Sequence, residues 1–528
     1  MGSAKAKVVD LRSGKGIRQA VEDRKAEEIE KYGGGGGGEG LPGRFVLDCL
    51  RANELGDGLM FAALHKDRLV LNKATKEWLA WNGHHWARDW SDEASVAVEA
   101  VVDRYLAEAV TIGGQIAEAM KADDKGKERE LKGIQSDLYK RVQRLRTKRG
   151  REACLSFAHT CRDALSIKGD ELDREPWLLA CANGVIDLRT GALRPGLPGD
   201  YLLRASPTAW EGIDAPAPTW ERALSEIYSG NQALIGFLQR LFGYAITGLS
   251  TEHILPVFWG QGRNGKTLIV QTIGDVLGVL AGPIQSELIL DQGKVGRSSA
   301  GPSPDIMALR GLRLALASET DKDRRISPSR VKWLTGGDTL VGRNPHDKYE
   351  VAFDPTHTLL LLTNHKPHAP ADDFAFWERV VLIPHLRSFV SRRPSADNEL
   401  PQDKTLPDKL AAEHPGILAW MVRGCLEWQR QGLAPPVEVR DATTEYRRDE
   451  DVMGDFFAEC CEVGPDYEVG ATELYDCFTS WYEKNVSKRV PAQRRFGQMA
   501  VIKFRKEKKC GFYKYFGLRL AAEPSLTG

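Results

Sequence analysis

Gly260 and the triplet Gly265-Lys266-Thr267 stand at the spacing that lets backbone N–H groups wrap a phosphate, within Gly-Gln-Gly-Arg-Asn-Gly-Lys-Thr at residues 260–267. The chemistry follows from residue type. Gly260, Gly262 and Gly265, with Asn264 among them, allow the main chain to approach the β-phosphate of a nucleoside triphosphate. Lys266 sets a point charge against the β- and γ-phosphates, and the Thr267 hydroxyl completes a magnesium shell at a helix N-terminus. ATP and Mg²⁺ are the expected occupants.

Phosphoryl transfer also needs a carboxylate at the end of a neighbouring strand, to hold the metal or orient the attacking water. Arg313-Leu-Ala-Leu-Ala-Ser318-Glu319 reads as a buried strand ending in such a group. Taken alone, Glu319 also fits an ordinary surface acid at a strand end, and Asp321 is a weaker candidate. Thr358-Leu-Leu-Leu-Leu-Thr-Asn364 is a further apolar strand with an amide at its tip. Asn364 either holds the lytic water or senses the γ-phosphate, or else caps the following loop.

The elements that must position these groups can be read around them. Ile254-Leu-Pro-Val-Phe-Trp259 is short and apolar, as a buried parallel strand is, and Leu268 to Leu277 is helical. Strand, loop and helix therefore follow in the order a phosphate loop requires. Trp220 to Thr247 carries a helical period through Leu224, Ile227, Ile235, Leu238, Leu241 and Phe242, so a helical element precedes the phosphate-loop segment.

At 528 residues the chain exceeds one hydrophobic core and predicts three or four domains. No apolar run reaches the roughly 20 residues of a membrane span, and the first residues lack the apolar core of a secretory signal, which points to the cytoplasm and no membrane partner. Nine cysteines contain no CxxC pair, which excludes a zinc ribbon or a disulfide frame. The formal net charge of zero hides segregation: eleven Lys or Arg against one acid between Lys488 and Arg519, but thirteen acids against three bases from Glu438 to Asp476.

The expected organisation begins with a disordered leader over 1–43, in which a helical stretch from Ile17 to Tyr32 precedes the glycines 33–38. Residues 44–95 read as a small mixed α/β domain, with short apolar runs between Phe45 and Trp90 as strands and an Asn82-Gly83 turn. Residues 96–210 form a helical N-terminal region, whose basic run from Lys140 through Arg151 is either a solvated helix face or a nucleic-acid contact. A helical collar over 211–253, a core over 254–395, a helical linker over 396–436 and a terminal domain over 437–528 complete the division. In that last domain helical periods at 442–461, 473–484 and 494–504 lead into an alternating ribbon, Lys508-Lys-Cys-Gly-Phe-Tyr-Lys-Tyr-Phe. Helices followed by a basic ribbon suggest a winged helix for DNA binding or docking.

The order of motifs resembles a family. Asn264 before Gly-Lys-Thr, a strand ending in Ala317-Ser-Glu319, Lys332-Trp-Leu-Thr-Gly-Gly-Asp338 and a strand ending in Thr363-Asn364 are similar to the superfamily 3 helicases. The likeness is to the branch of poxviral, phage and plasmid primase-helicases, and it spans Trp177 to Pro384. Asn183-Gly-Val-Ile-Asp-Leu-Arg-Thr-Gly191 and Phe237 to Gly248 look like the segment before the motor in that branch, and the tail beyond Val437 is similar to its C-terminal region.

The resemblance implies an α/β fold: an AAA+ type parallel-sheet P-loop ATPase core with a helical collar, a small mixed N-terminal domain and a C-terminal winged helix. It gives Lys266 and Thr267 the phosphate and metal positions, Glu319 the acidic strand end and Asn364 the sensor. Arg379, in Phe376-Trp-Glu-Arg-Val-Val-Leu-Ile-Pro384, falls where the family carries an arginine finger for the adjacent subunit's nucleotide. Two short runs between Asp338 and Phe353 predict a hairpin, which in the family lines the ring pore. His346 and Lys348 fall at its tip with Arg343 nearby, suited to gripping phosphates or, read alone, to a solvated turn. The implied protein is a hexameric ATP-driven helicase moving 3′ to 5′ on single-stranded or forked DNA, replicating a phage, plasmid or other mobile element, with a separate primase or other replication proteins as candidate partners that the sequence does not decide between.

Two departures matter. Many members carry two adjacent acids where this sequence has Ser318-Glu319, and no acidic pair with a downstream His suits priming at the front, His84-His85 beside Asp89 reading as a turn. An origin-binding initiator without processive unwinding, or a DNA-independent NTPase switch, would share the phosphate loop.

Overall fold

The computed structural model describes residues 41–161, 163–291, 302–319, 324–345, 350–486, 488, 490–509 and 511–521. The leader expected at the front lies, up to residue 40, outside the described residues. Among these residues no helix is long and apolar enough to cross a membrane.

Helices α1 (Gly43–Arg51) and α2 (Glu54–His65) occupy the start of the stretch whose apolar runs predicted strands. Val46 and Cys49 are buried at a spacing of three, and helices of 9 and 12 residues are marginal alone, so tertiary packing decides the outcome. The strands follow: β1 (Leu69–Asn72), β2 (Glu77–Trp81) and β3 (Trp86–Arg88). Asn82 Oδ1 accepts from the N–H groups of His84 and His85 at 3.2 and 3.0 Å, which closes the expected Asn-Gly turn.

Three longer helices supply the partner surface, α3 (Val98–Lys121), α4 (Lys125–Leu145) and α5 (Lys148–Ala158). Val98, Val101, Val102, Tyr105, Ala109, Ile112 and Ile116 form one buried face of α3. Asp124 and Thr147 cap α4 and α5 by accepting from Lys127 N and Gly150 N. One core runs from Val46 to Leu165, so the division expected between residues 95 and 96 crosses continuous packing. β4 (Ser166–Ile167) returns to β1, giving the order β3-β2-β1-β4. An antiparallel meander of β5 (Leu178–Cys181), β6 (Gly184–Asp187) and β7 (Ala192–Arg194) follows.

Helices α6 (Pro218–Ile227) and α7 (Gln232–Ala245) lead to the central sheet. Its strands are β8 (Leu255–Trp259), β9 (Ala281–Ile284), β10 (Leu314–Glu319), β13 (Thr358–Thr363) and β14 (Val380–Pro384), in the order β14-β8-β13-β10-β9 and all parallel. Near-continuous apolar sequence is what a parallel sheet covered on both faces needs. A two-stranded hairpin of β11 (Leu340–Gly342) and β12 (Val351–Phe353) lies between β10 and β13 in the chain, as its sequence predicts.

One sheet face packs on α8 (Lys266–Leu277), α6, α7 and α9 (His414–Gln431). Trp220 of α6 and Trp420 of α9 meet edge to face at 5.5 Å between ring centres. The segment expected as a linker, 396–436, thus shares a core with the collar residues. On the other face Leu255, Val257, Leu359, Leu361 and Leu382 meet Phe376, Trp377 and Tyr446. Tyr446 belongs to α10 (Val437–Asp449).

The last residues form α11 (Val452–Cys460), β15 (Cys461–Gly470), α12 (Ala471–Asn485), α13 (Gln493–Lys503), β16 (Arg505–Lys509) and β17 (Phe512–Leu520). The strands pair antiparallel in the order β15-β17-β16, and Phe456, Phe478, Phe496, Tyr515 and Leu518 fill the core beneath them.

Candidate nucleotide site

β8 ends at Trp259, opposite Thr363 of β13, and Thr363 lies opposite Glu319 of β10. With strands about 4.8 Å apart, the carboxyl ends of these three strands line up within about 10 Å. Ligands of open parallel sheets bind outside such ends.

The chain leaves β8 through Gly260, whose φ is 154°. A Cβ there would stand 2.3 Å from the His385 carbonyl oxygen and 2.5 Å from Asn264 Nδ2, so only glycine fits. Gly265, at φ 85°, is the N-cap residue of α8 and presses on Ile227 of α6. Gly262 is exposed, with nothing within 4 Å of the place of its missing Cβ. Asn264 is buried and turned inward, its Nδ2 donating to His385 O at 3.3 Å. It shapes the loop from within.

Lys266 opens α8 and reaches back across the loop. Its ammonium donates to Gly260 O and, at 3.2 Å, to Asn364 Oδ1. Burial lowers its pKa to about 8, because these neutral oxygens replace water poorly. A desolvated cation at a helix N-terminus is built to meet an anion. Thr267, next along the first turn, is exposed and free to serve a cation beside that anion.

Asn364, just past the end of β13, is therefore joined to the loop of residues 260–266 by its side chain. The backbone of Glu319 ends β10 one strand further on; its side chain lies outside the described residues, as do Asp321, His346 and Lys348. Arg343 follows β11, its N–H 3.3 Å from Ser303 Oγ and its carbonyl accepting from Ser303 N. Arg379 is not brought to the loop. It precedes β14 at the amino end of the sheet, its carbonyl accepting from Leu255 N and its Nη1 donating to Ala375 O at 2.6 Å. The five residues of β14 separate it from the row of Trp259 by about 16 Å.

Two supports were not visible in the sequence. His385, at the end of β14, is fully buried beneath the loop: its N–H donates to Trp259 O at 2.8 Å and its carbonyl holds Asn264. Its Nδ1 faces the Ile383 carbonyl at 3.1 Å, so Nδ1 carries the proton and Nε2 accepts from the Tyr228 hydroxyl at 2.7 Å. Burial drives the imidazole pKa down to about 3, which keeps it uncharged beside Lys266. A polar residue ending an apolar strand hints at such a role, but Tyr228 is 157 positions away.

The second support holds the loop after Asn364. Lys366 pairs with Asp449 Oδ2 at 2.9 Å and lies 4.8 Å over the Trp259 ring. The Tyr446 hydroxyl donates to Pro367 O, Ala369 N donates to Glu450 Oε2 at 3.0 Å, and Arg447 Nε donates to Ala371 O at 3.1 Å. Helix α10 and its C-cap thereby grip residues 366–371 along their length.

The sequence profile of the family described as "D5 N terminal like" matches residues 58–229, ahead of the glycine-rich loop at 260–267. The chain is 26% identical over 334 residues to a "Putative helicase" of Acanthamoeba polyphaga mimivirus, covering 61% of this chain and 34% of that protein. It is 24% identical over 390 residues to a "Putative helicase" of Frog virus 3, covering 60% and 40%. It is 22% identical over 338 residues to a "Putative primase" of African swine fever virus, covering 60% and 34%. The chain thus spans 34 to 40% of the length of these relatives. Among solved structures, the apo NrS-1 C terminal region is similar over 68% of this chain and 86% of that one, at 11% identity and a TM-score of 0.39. The likeness in sequence is to viral proteins named as helicases and primases.

Proposed function

We propose that this chain carries the motor of an ATP-dependent DNA helicase of the superfamily 3 type, acting in the replication of a virus, phage, plasmid or related mobile element. The observation that carries the reading is the convergence of the Lys266 ammonium, the Gly260 carbonyl and the Asn364 amide at the carboxyl ends of β8 and β13, with β10 alongside. Insertion of β13 between β8 and β10 sets the amide between the loop and the acidic strand end, which supports an AAA+ type core. The helix, strand, helix, helix and ribbon order of residues 452–520 supports a winged helix.

In this reading ATP enters with its phosphates against α8. Lys266 exchanges its main-chain oxygen partner for phosphate oxygens, and Gly260 and Gly262 let the backbone close around them. Thr267 and Glu319 would hold Mg²⁺, which neutralises charge on the transferring phosphoryl group. Glu319 orients the attacking water, and Asn364 reports the terminal phosphate to the loop that α10 grips. Arg379 lies too far along β14 to serve its own loop, which supports an arginine supplied to a neighbour in a hexameric ring. The β11–β12 hairpin, with Arg343 at its base and His346 and Lys348 at its tip, grips one DNA strand and moves 3′ to 5′ as the ring fires.

ATP hydrolysis and fork unwinding by wild type, Lys266→Ala and Lys348→Ala test this directly. Loss of both activities in Lys266→Ala, with loss of unwinding but retention of basal hydrolysis in Lys348→Ala, is the expected pattern. An initiator would show little stimulation by single strands, and a DNA-independent switch would be indifferent to Lys348.

A further inference from the structure

The chemistry proposed above leaves one run of the sequence without a role, Lys332-Trp-Leu-Thr-Gly-Gly-Asp338. Its first residues lie in the helix Pro328–Thr335, whose Val331, Leu334 and Thr335 are buried. Its last residues turn directly into β11. That turn is stiff. A Cβ on Gly336 would stand 2.6 Å from Lys332 O, and Gly337 sits at φ 81° with the place of its Cβ 3.1 Å from Ser250 Oγ, so neither position suits a side chain. His253 Nδ1 donates to Thr335 O at 2.9 Å, which pins the end of the helix to the segment entering β8. Thr339 Oγ1 donates to Asp354 Oδ1 at 2.9 Å across the base of the hairpin. A displacement of β11 is thus delivered to the helix instead of being absorbed between them.

From the same helix Lys332 reaches sideways. Its ammonium donates to both carboxylate oxygens of Asp373, at 3.2 and 2.9 Å. Asp373 Oδ1 also accepts from Phe376 N at 3.0 Å, capping the helix Phe374–Trp377. Four residues cannot sustain a helix alone, so this cap and the burial of Phe376 and Trp377 set its direction. Arg379 rides on that turn: its N–H donates to Phe376 O at 3.0 Å and its Nη1 to Ala375 O at 2.6 Å. Its buried Nε has no hydrogen-bond partner, so the guanidinium is oriented through Nη1 and hence by the turn.

We propose that Lys332 is a positioning residue for Arg379: through Asp373 it ties the aim of the guanidinium to the posture of the β11–β12 hairpin, so that a DNA strand seated on the hairpin sets the rate at which the neighbouring subunit's ATP is hydrolysed. This coupling presupposes the ring-helicase reading above and adds to it the link between strand and hydrolysis. With side chains 34% and 24% exposed, the Lys332–Asp373 pair contributes little to stability. Its effect on direction is larger, because the helix it caps is a single turn that ends two residues before Arg379.

The test is steady-state ATP hydrolysis by the full chain with and without oligothymidylate, read as kcat and KM beside strand affinity by fluorescence anisotropy and melting temperature. In Lys332→Gln the strand-stimulated kcat should fall about tenfold, a fraction of what outright loss of a transition-state donor costs, with KM, strand affinity and melting temperature unchanged. Lys332→Arg, which keeps a cation for both carboxylate oxygens, should retain the stimulation. Asp373→Asn keeps a helix cap but not the charge and should match Lys332→Gln, and the two together should lose no more than either alone. Because Arg379 serves a neighbour, Lys332→Gln mixed with Lys266→Ala should regain strand-stimulated hydrolysis. Equal stimulation of Lys332→Gln and wild type would overturn the proposal while leaving the helicase reading intact. Additive losses, no recovery on mixing, or a loss that follows melting temperature or strand affinity would overturn it as well. A wild type that hydrolyses ATP without responding to the strand would instead refute the helicase reading, and this coupling with it.

Discussion

Lys266 is held by two neutral oxygens and little water, and this gives it a pH signature that an exposed lysine lacks. Its proton is lost as pH rises through about 8 in the free protein, so nucleotide affinity should fall between pH 7.5 and 9, measured with a fluorescent ATP analogue. Affinity that stays flat to pH 9.5 would contradict the desolvated site. Lys266→Ala should cost roughly a hundredfold or more in ATP turnover, on the scale of removing one preorganised transition-state donor. His385 gives a second signature, of stability. Its folded pKa of about 3 lies below the ordinary 6.5, so the unfolded chain takes up the proton first. The stability contributed above pH 6.5 is lost as pH falls toward 3, at no more than about 1.4 kcal/mol per pH unit. Melting scans from pH 7 to 5 should therefore fall more steeply for wild type than for His385→Gln.

At the scale of elements, the grip of α10 on residues 366–371 predicts a separation of turnover from stability. The Lys366–Asp449 pair is half open to water, with Asp449 at 51% exposure, so its loss should cost under about 1 kcal/mol. Lys366→Ala should leave the melting temperature within about two degrees of wild type while lowering kcat several-fold, because the loop bearing Asn364 loses its anchor over Trp259. An unchanged kcat would mean that the grip is only structural. The order of β8, glycine-rich loop and α8 was legible in the sequence because strand, glycines, lysine and helix are contiguous, and the apolar runs of β10 and β13 are continuous enough to read alone. The supports were not. Tyr228 with His385, and α10 with residues 366–371, are contacts between distant segments, and no local period records them. Helices α1 and α2 were missed for a related reason: their short apolar runs match a strand until the face of α3 and α5 against which they pack is known.

At the scale of the whole molecule, Arg379 stands about 16 Å from its own loop, and the proposed ring therefore predicts activity that depends on neighbours. Arg379→Ala and Lys266→Ala, each inactive alone, should regain measurable ATP hydrolysis when mixed, and wild-type hydrolysis per subunit should fall on dilution. No recovery on mixing would count against shared sites.

Trp220, Phe237 and Phe242, which precede the sheet, and Ile417, Trp420 and Cys425, which follow it, lie in one core. The five-stranded parallel sheet is thus an insertion closed by a helical clasp whose two halves are some 170 positions apart. A recombinant fragment cut at Ile254 and at residue 395 would strip that clasp from the buried faces of α8 and β8, laying large apolar area open to water. Such an excised piece should be recovered only as aggregate, whereas one spanning 178–450 should stay monodisperse on gel filtration.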